Sequence, residues 1–151
     1  MFVFLANSAA APKKLCFLLN QRFNIFLMNF KIDTKEKFQE IYLLEQELTA
    51  NMTDKLSEML HSVSKTTPAN VILCMEAVAK MDNAVALLLN DEQSRWYEQD
   101  HSFVICQLQP QVEAALEDAG ILENMNTAPT LSEAWDLVQM EEIERELLDE
   151  W

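Results

Sequence analysis

The spacing of apolar positions changes several times between Phe30 and Leu147, and each change predicts a different element. Phe30 and Ile32, then Phe38, Ile41 and Leu43, flank the polar run Thr34-Lys35-Glu36-Lys37. That pattern predicts two short strands joined by a turn, and their partial alternation puts them towards one edge of a sheet. From Leu48 to Leu60 the residues Met52, Leu56, Met59 and Leu60 recur at helical spacing. Thr49 or Asn51 is placed to cap that helix, and Thr66-Thr67-Pro68 to stop it. Val71-Ile72-Leu73-Cys74-Met75 is a continuous apolar run, as expected of a strand buried on both faces.

Asn83 to Glu98 predicts a second helix, with Val85, Leu88, Leu89 and Trp96 inward and Asp91, Glu92, Arg95 and Glu98 outward. Phe103-Val104-Ile105-Cys106 is the second buried strand. Beyond Pro110, Val112, Ala115, Leu116 and Ala119 mark another helix, which Gly120 closes with a left-handed turn while Ile121 folds back as its apolar cap contact. Asn126 to Ala128 predicts a short strand. Thr130 with Glu133 has the form of a capping box for a final helix through Trp135, Val138, Ile143 and Leu147. Strands alternating with helices imply parallel pairing, because parallel neighbours need a crossover of a dozen or more residues. The expected fold class is therefore α/β, a mixed β-sheet of four to five strands covered by about four helices.

Composition narrows the functions available. At 151 residues the chain suits one domain with a real core. Eleven basic against 25 acidic residues give a formal charge of −14, which repels a phosphate backbone and anionic lipid alike. Nucleic acid is excluded as a partner, and no direct membrane insertion is expected. Cys16, Cys74 and Cys106 cannot all pair, and a reducing, cytoplasmic setting fits them. His61 and His101 have no Cys or His at ligand spacing, so neither a metal nor another cofactor is expected. Asp100-His101-Ser102 are adjacent in sequence, which does not supply the geometry of a catalytic triad, and a polar turn explains them. The single glycine speaks against a phosphate-cradling loop. No enzyme is expected.

Residues 1–27 differ from the rest: they hold Lys13, Lys14 and Arg22, no acidic residue, and many Phe and Leu. A secretory signal would put positive charge ahead of its apolar stretch, whereas Phe2 to Leu5 precede Lys13. Neither apolar stretch approaches the roughly 20 residues needed to span a bilayer. The expectation is an atypical extension outside the native protein, with Met28 as its start. Removing it leaves 124 residues at a formal −17, since three basic residues go with it.

The turn Met81-Asp82-Asn83-Ala84-Val85 joins a buried strand to a helix, where unpaired helix N–H groups face whatever docks. Asp82 as an ordinary helix cap, and Asn83 as an ordinary first-turn residue, are the simpler alternatives. From about Phe30 to Leu137 the order of elements resembles a STAS domain, the fold of bacterial anti-sigma factor antagonists. The resemblance rests on Leu48-Thr49-Ala50-Asn51, Val71-Ile72-Leu73 leading into Met81-Asp82, Ser102-Phe103-Val104-Ile105, Val112 through Ala119-Gly120-Ile121, and Thr130-Leu131-Ser132-Glu133-Ala134.

In that family the strand-to-helix turn usually reads Asp-Ser-Ser/Thr-Gly, and its second hydroxyl accepts a phosphate from an anti-sigma kinase. Asp82 is retained here, but Ala84 stands at the acceptor position and has no oxygen to modify. The resemblance implies a STAS-like domain over residues 28–137. It also implies a non-enzymatic contact with a protein such as an anti-sigma factor through Asp82, Asn83, Ala84 and Val85, with the phospho-switch degenerate. The alternative it implies is an accessory subunit on the ATPase of a lipid ABC transporter. Residues 138–151 form an acidic helical extension. Across residues 131–151 eight acidic residues oppose Arg145 alone, yet Leu137, Met140, Ile143, Leu147, Leu148 and Trp151 are interspersed. Such a helix could lie in a basic groove of a partner or pack on its own sheet.

Overall fold

The computed structural model describes residues 28–150, so the reading of residues 1–27 falls outside it. In chain order the first half comprises β1 (Phe30–Thr34), β2 (Gln39–Leu43), β3 (Glu47–Leu48), a 3₁₀ turn at Ala50–Met52, α1 (Thr53–Ser64), β4 (Val71–Cys74) and β5 (Lys80–Met81). Then follow α2 (Asn83–Glu98), β6 (Phe103–Cys106), α3 (Pro110–Asp118), a 3₁₀ turn at Leu122–Asn124, β7 (Thr127–Ala128) and α4 (Leu131–Asp149).

The main sheet has five strands in the order β1-β2-β4-β6-β7. β1 and β2 are an antiparallel hairpin at its edge, and the other neighbours are parallel. The expected mixed α/β architecture is the one found. Alternation along the central strands divides the core in two. Val71, Leu73, Phe103 and Ile105 point into a cluster with Leu56, Leu60, Val85, Leu89, Val112 and Leu116 of the first three helices. Ile72, Cys74, Val104 and Cys106 point the other way, against Ala134 and Val138 of α4. Helices on both faces leave no polar position in either strand, which is why each reads as an unbroken apolar run.

Turn chemistry at α3 follows the sequence closely. Gly120 has φ +75°, its N–H donates to Glu117 O at 2.9 Å, and the Ile121 N–H donates to Leu116 O at 3.2 Å. These are the two bonds of a Schellman motif, and Ile121 buries its side chain in the same cluster as Leu116. At α4 the Thr130 hydroxyl accepts from the Glu133 N–H at 3.2 Å, one half of the expected capping box. The helix then runs unbroken past residues 137 and 138.

Two sequence expectations are corrected. β2 does not alternate as expected but is covered on both faces: Glu40 lies beneath Trp135 of α4, and on the other face the Gln39 side-chain amide donates to the Thr66 hydroxyl and, at 2.8 Å, to the Pro68 carbonyl. The Glu40 carboxylate accepts from Tyr42 Oη–H at 2.8 Å and from Trp135 Nε1–H at 2.6 Å, and its charge adds to burial in raising the Tyr42 pKa. Glu92 does not face outward either; it is 2% exposed.

The Glu92 side chain lies between α1 and α2, bonded to Arg95 Nη1 at 2.9 Å, with Ser57 and His61 of α1 facing it and Asp91 beside it. Burial raises its pKa above the usual 4.5 despite Arg95 and His61. The folded state therefore binds this proton more tightly than the unfolded chain, and the stability gained is complete below pH 4.5 and is lost as pH rises through the folded value. Glu92→Gln is accordingly expected to raise the urea midpoint near pH 7 and to lose that advantage at about pH 4. Midpoints measured at both values check it.

Candidate functional site

A small second sheet brings the candidate residues together. β3 and β5 pair in parallel, with Glu47 opposite Lys80 and Leu48 opposite Met81. The Gln46 carbonyl accepts from the Ala79 and Lys80 N–H groups at 2.7 and 3.1 Å, and the Leu48 carbonyl from the Asp82 N–H at 2.9 Å. The entry to α1 and the entry to α2 are thus fixed side by side, at the ends of the strands where an α/β sheet usually presents its binding residues.

Asp82 spans the gap. Its backbone occupies the N-cap position of α2, but its side chain does not cap that helix. Instead Oδ2 accepts from the Ala50 N–H at 2.8 Å, at the start of the 3₁₀ turn that leads into α1. Neither Thr49 nor Met52 caps through its side chain. The capping role expected of Thr49 or Asn51 is filled from 32 residues away, by a carboxylate that favours the positive end of the neighbouring helical segment. Asp82 is therefore a positioning residue that locks the two helix entries to each other.

Asp82, Asn83 and Ala84 are exposed, whereas Val85 is wholly buried and anchors the turn to the core. With the Asp82 carboxylate committed to Ala50, the first turn of α2 meets solvent without a side-chain cap. One turn further, Leu87 is 45% exposed on the same face as Ala84. Leu87 was not among the residues expected here, although a signal exists. Leu87, Leu88 and Leu89 together sweep about 200° of a helix, too wide for all three to enter one core. Val85, Ala86 and Leu89 take the inner positions, so Leu87 is left outside.

A cleft of about 140 Å³ lies nearby between Tyr42, Leu43, Leu44, Cys74, Glu76 and Ala77. It is well below the roughly 300–1,000 Å³ that encloses a small ligand. Among the described residues no group of three or more His, Cys, Asp or Glu is arranged to hold a metal ion. Among them, too, no helix is long and apolar enough to cross a membrane. The sequence neighbours Asp100, His101 and Ser102 are at the opposite end of the sheet. Ser102 is buried, and its Oγ accepts from Arg145 Nη2 at 3.1 Å, a structural contact.

A family model described as the STAS domain matches residues 21–134. No curated protein sequence matches the chain. Solved structures do share its fold. RsbS from Moorella thermoacetica superposes with a TM-score of 0.61 at 19% identity, over 74% of this chain and 95% of its own. The anti-sigma factor antagonist SpoIIAA in its unphosphorylated form gives 0.59 at 18% identity, over 74% and 96%. The murine solute carrier 26 anion transporter, in its inward-facing state, gives 0.65 at 12% identity over 83% of this chain, which spans only 24% of the transporter.

Proposed function

Because this chain belongs to the STAS domain family, we propose that it is a non-enzymatic regulatory protein that binds another protein, an anti-sigma factor or related regulator, through the entry to α2. The observation that carries this reading is the exposed run Asp82-Asn83-Ala84 followed by exposed Leu87, held rigid by the Asp82 to Ala50 bond. Uncapped helix N–H groups offer donors to a partner's carbonyl or carboxylate, and Leu87 offers an apolar anchor beside them. The likeness to RsbS and SpoIIAA supports a partner of the anti-sigma class. No hydroxyl stands at residues 83–85, so binding is governed by the amounts of the partners or by a third protein, in a cytoplasmic setting.

The test uses the full chain, tagged, to capture its partner from the native cell, with identification by mass spectrometry. An anti-sigma factor or related regulator is expected, and Leu87→Asp is expected to weaken its binding about tenfold or more with the circular dichroism unchanged. With candidate anti-sigma kinases and ATP, intact mass is expected to show the natural chain unmodified at residues 83–85, whereas Ala84→Ser gains one phosphate there. Capture of an ABC-transporter ATPase instead would establish the accessory-subunit alternative, and undiminished capture by Leu87→Asp would place the contact elsewhere.

A further inference from the structure

The second half of α4 packs on its own sheet with one side and leaves an apolar stripe on the other. The packed side is well tied. Glu141 Oε2 accepts from Tyr97 Oη–H at 3.1 Å and from Asn126 Nδ2 at 2.8 Å, Glu142 Oε1 accepts from Asn70 Nδ2 at 2.6 Å, and Arg145 Nη2 reaches Ser102 Oγ. Burial and the Glu141 charge push the Tyr97 pKa up to about 12, so this latch keeps its hydroxyl proton across the physiological range. At about 100° per residue, Met140, Ile143 and Leu147 lie on the side diametrically opposite Ala134, Val138 and Arg145. They are 57%, 55% and 54% exposed, and Leu148 beyond them is 73% exposed. The stripe thus belongs to a helix held by its other side, not to a loose end.

Its spacing of three and then four residues is that of a helix-pairing seam. The flanks are acidic, with Glu146 and Glu150 along one edge, Glu144 along the other and Asp136 one turn ahead, all exposed. Arg145 is turned inward and leaves these charges unopposed. A second copy of this chain would set like charges against each other along the whole seam. We propose that the Met140-Ile143-Leu147 stripe of α4 is a docking surface for an amphipathic helix of a partner protein whose apolar seam is flanked by Lys and Arg. This surface lies across the sheet from α2, so it stands whether or not the entry to α2 binds an anti-sigma factor.

The test titrates the full chain into a fluorescently labelled synthetic helical peptide with Leu at its seam positions and Lys on the flanks. A second peptide keeps the Lys residues but has Ser at the seam. Saturable one-to-one binding of the first is expected, weakening with added salt, at least about tenfold tighter than the second. The exposed-site variant Ile143→Ser with Leu147→Ser should lose about tenfold or more, with circular dichroism unchanged, while Leu87→Asp should bind as the natural chain does. Equal binding of both peptides would reduce the surface to a general polyanion and overturn the proposal. So would unchanged binding by the double variant, or a dimer in sedimentation that the same substitutions dissolve.

Discussion

Asn70→Ala is expected to lower the free energy of unfolding by about 3 kcal/mol, because one buried amide ties together four segments that are distant in sequence. Its Nδ2 donates to Lys37 O at 3.0 Å and to Glu142 Oε1, while its Oδ1 accepts from the Ser102 N–H at 2.9 Å and approaches Arg145 Nη2 at 3.5 Å. Its own carbonyl accepts from the Gln39 N–H at 2.8 Å. The β1–β2 turn, β4, β6 and α4 therefore meet at a single side chain. Truncation leaves the buried Ser102 N–H and the Lys37 carbonyl without this partner, and a buried polar group left unpaired costs about 1–3 kcal/mol. Urea unfolding with an unchanged slope checks the magnitude, and amide exchange at Ser102 should accelerate. A loss below about 1 kcal/mol would mean that these contacts are made through water instead.

Phe103→Ala is expected to cost about 4 kcal/mol. Phe103 is fully buried in the central strand β6, with its ring centroid 5.3 Å from that of Trp96 at an interplanar angle of 57°. Trp96 cannot move in to fill the space, since its Nε1–H is held by Ala69 O at 2.8 Å. The cavity should therefore stay open, and cavity volume is what makes such truncations severe. In a domain whose total stability is about 5–15 kcal/mol, either substitution removes a large share. Denaturant midpoints for Phe103→Ala and Phe103→Leu check this, with the leucine variant, which leaves the smaller cavity, losing about half as much.

The sequence made some parts of this molecule legible for physical reasons. β4 and β6 could be read because helices cover both faces, so no polar residue interrupts them. The end of α3 could be read because the chain's single glycine falls where a left-handed residue is required. β3 and β5 could not be read: each has two residues, and a pairing between segments more than 30 positions apart leaves no periodic trace. The same distance hid the role of Asp82, whose sequence position announced an ordinary cap for α2 while its carboxylate serves Ala50. Glu92 was placed outside by its charge, but it falls at the i+3 position from Leu89 on the packed side, where Arg95 and α1 accommodate it. Val85 was expected both in the core and at the partner surface, and its burial assigns its side chain to the core.

The division of the core into two clusters has a chemical corollary. Cys74 and Cys106 stand in register on neighbouring strands beneath α4, with their sulfurs 3.5 Å apart. Contact with Cys106 and burial both hold the Cys74 thiol well above its ordinary pKa, so it stays protonated and unreactive while covered. If α4 lifts away, both sulfurs meet solvent in the same event. Alkylation at these two positions would then come in pairs, and peptide mapping, which reads them apart from Cys16, would follow the opening of the cover without any label having been engineered into the chain.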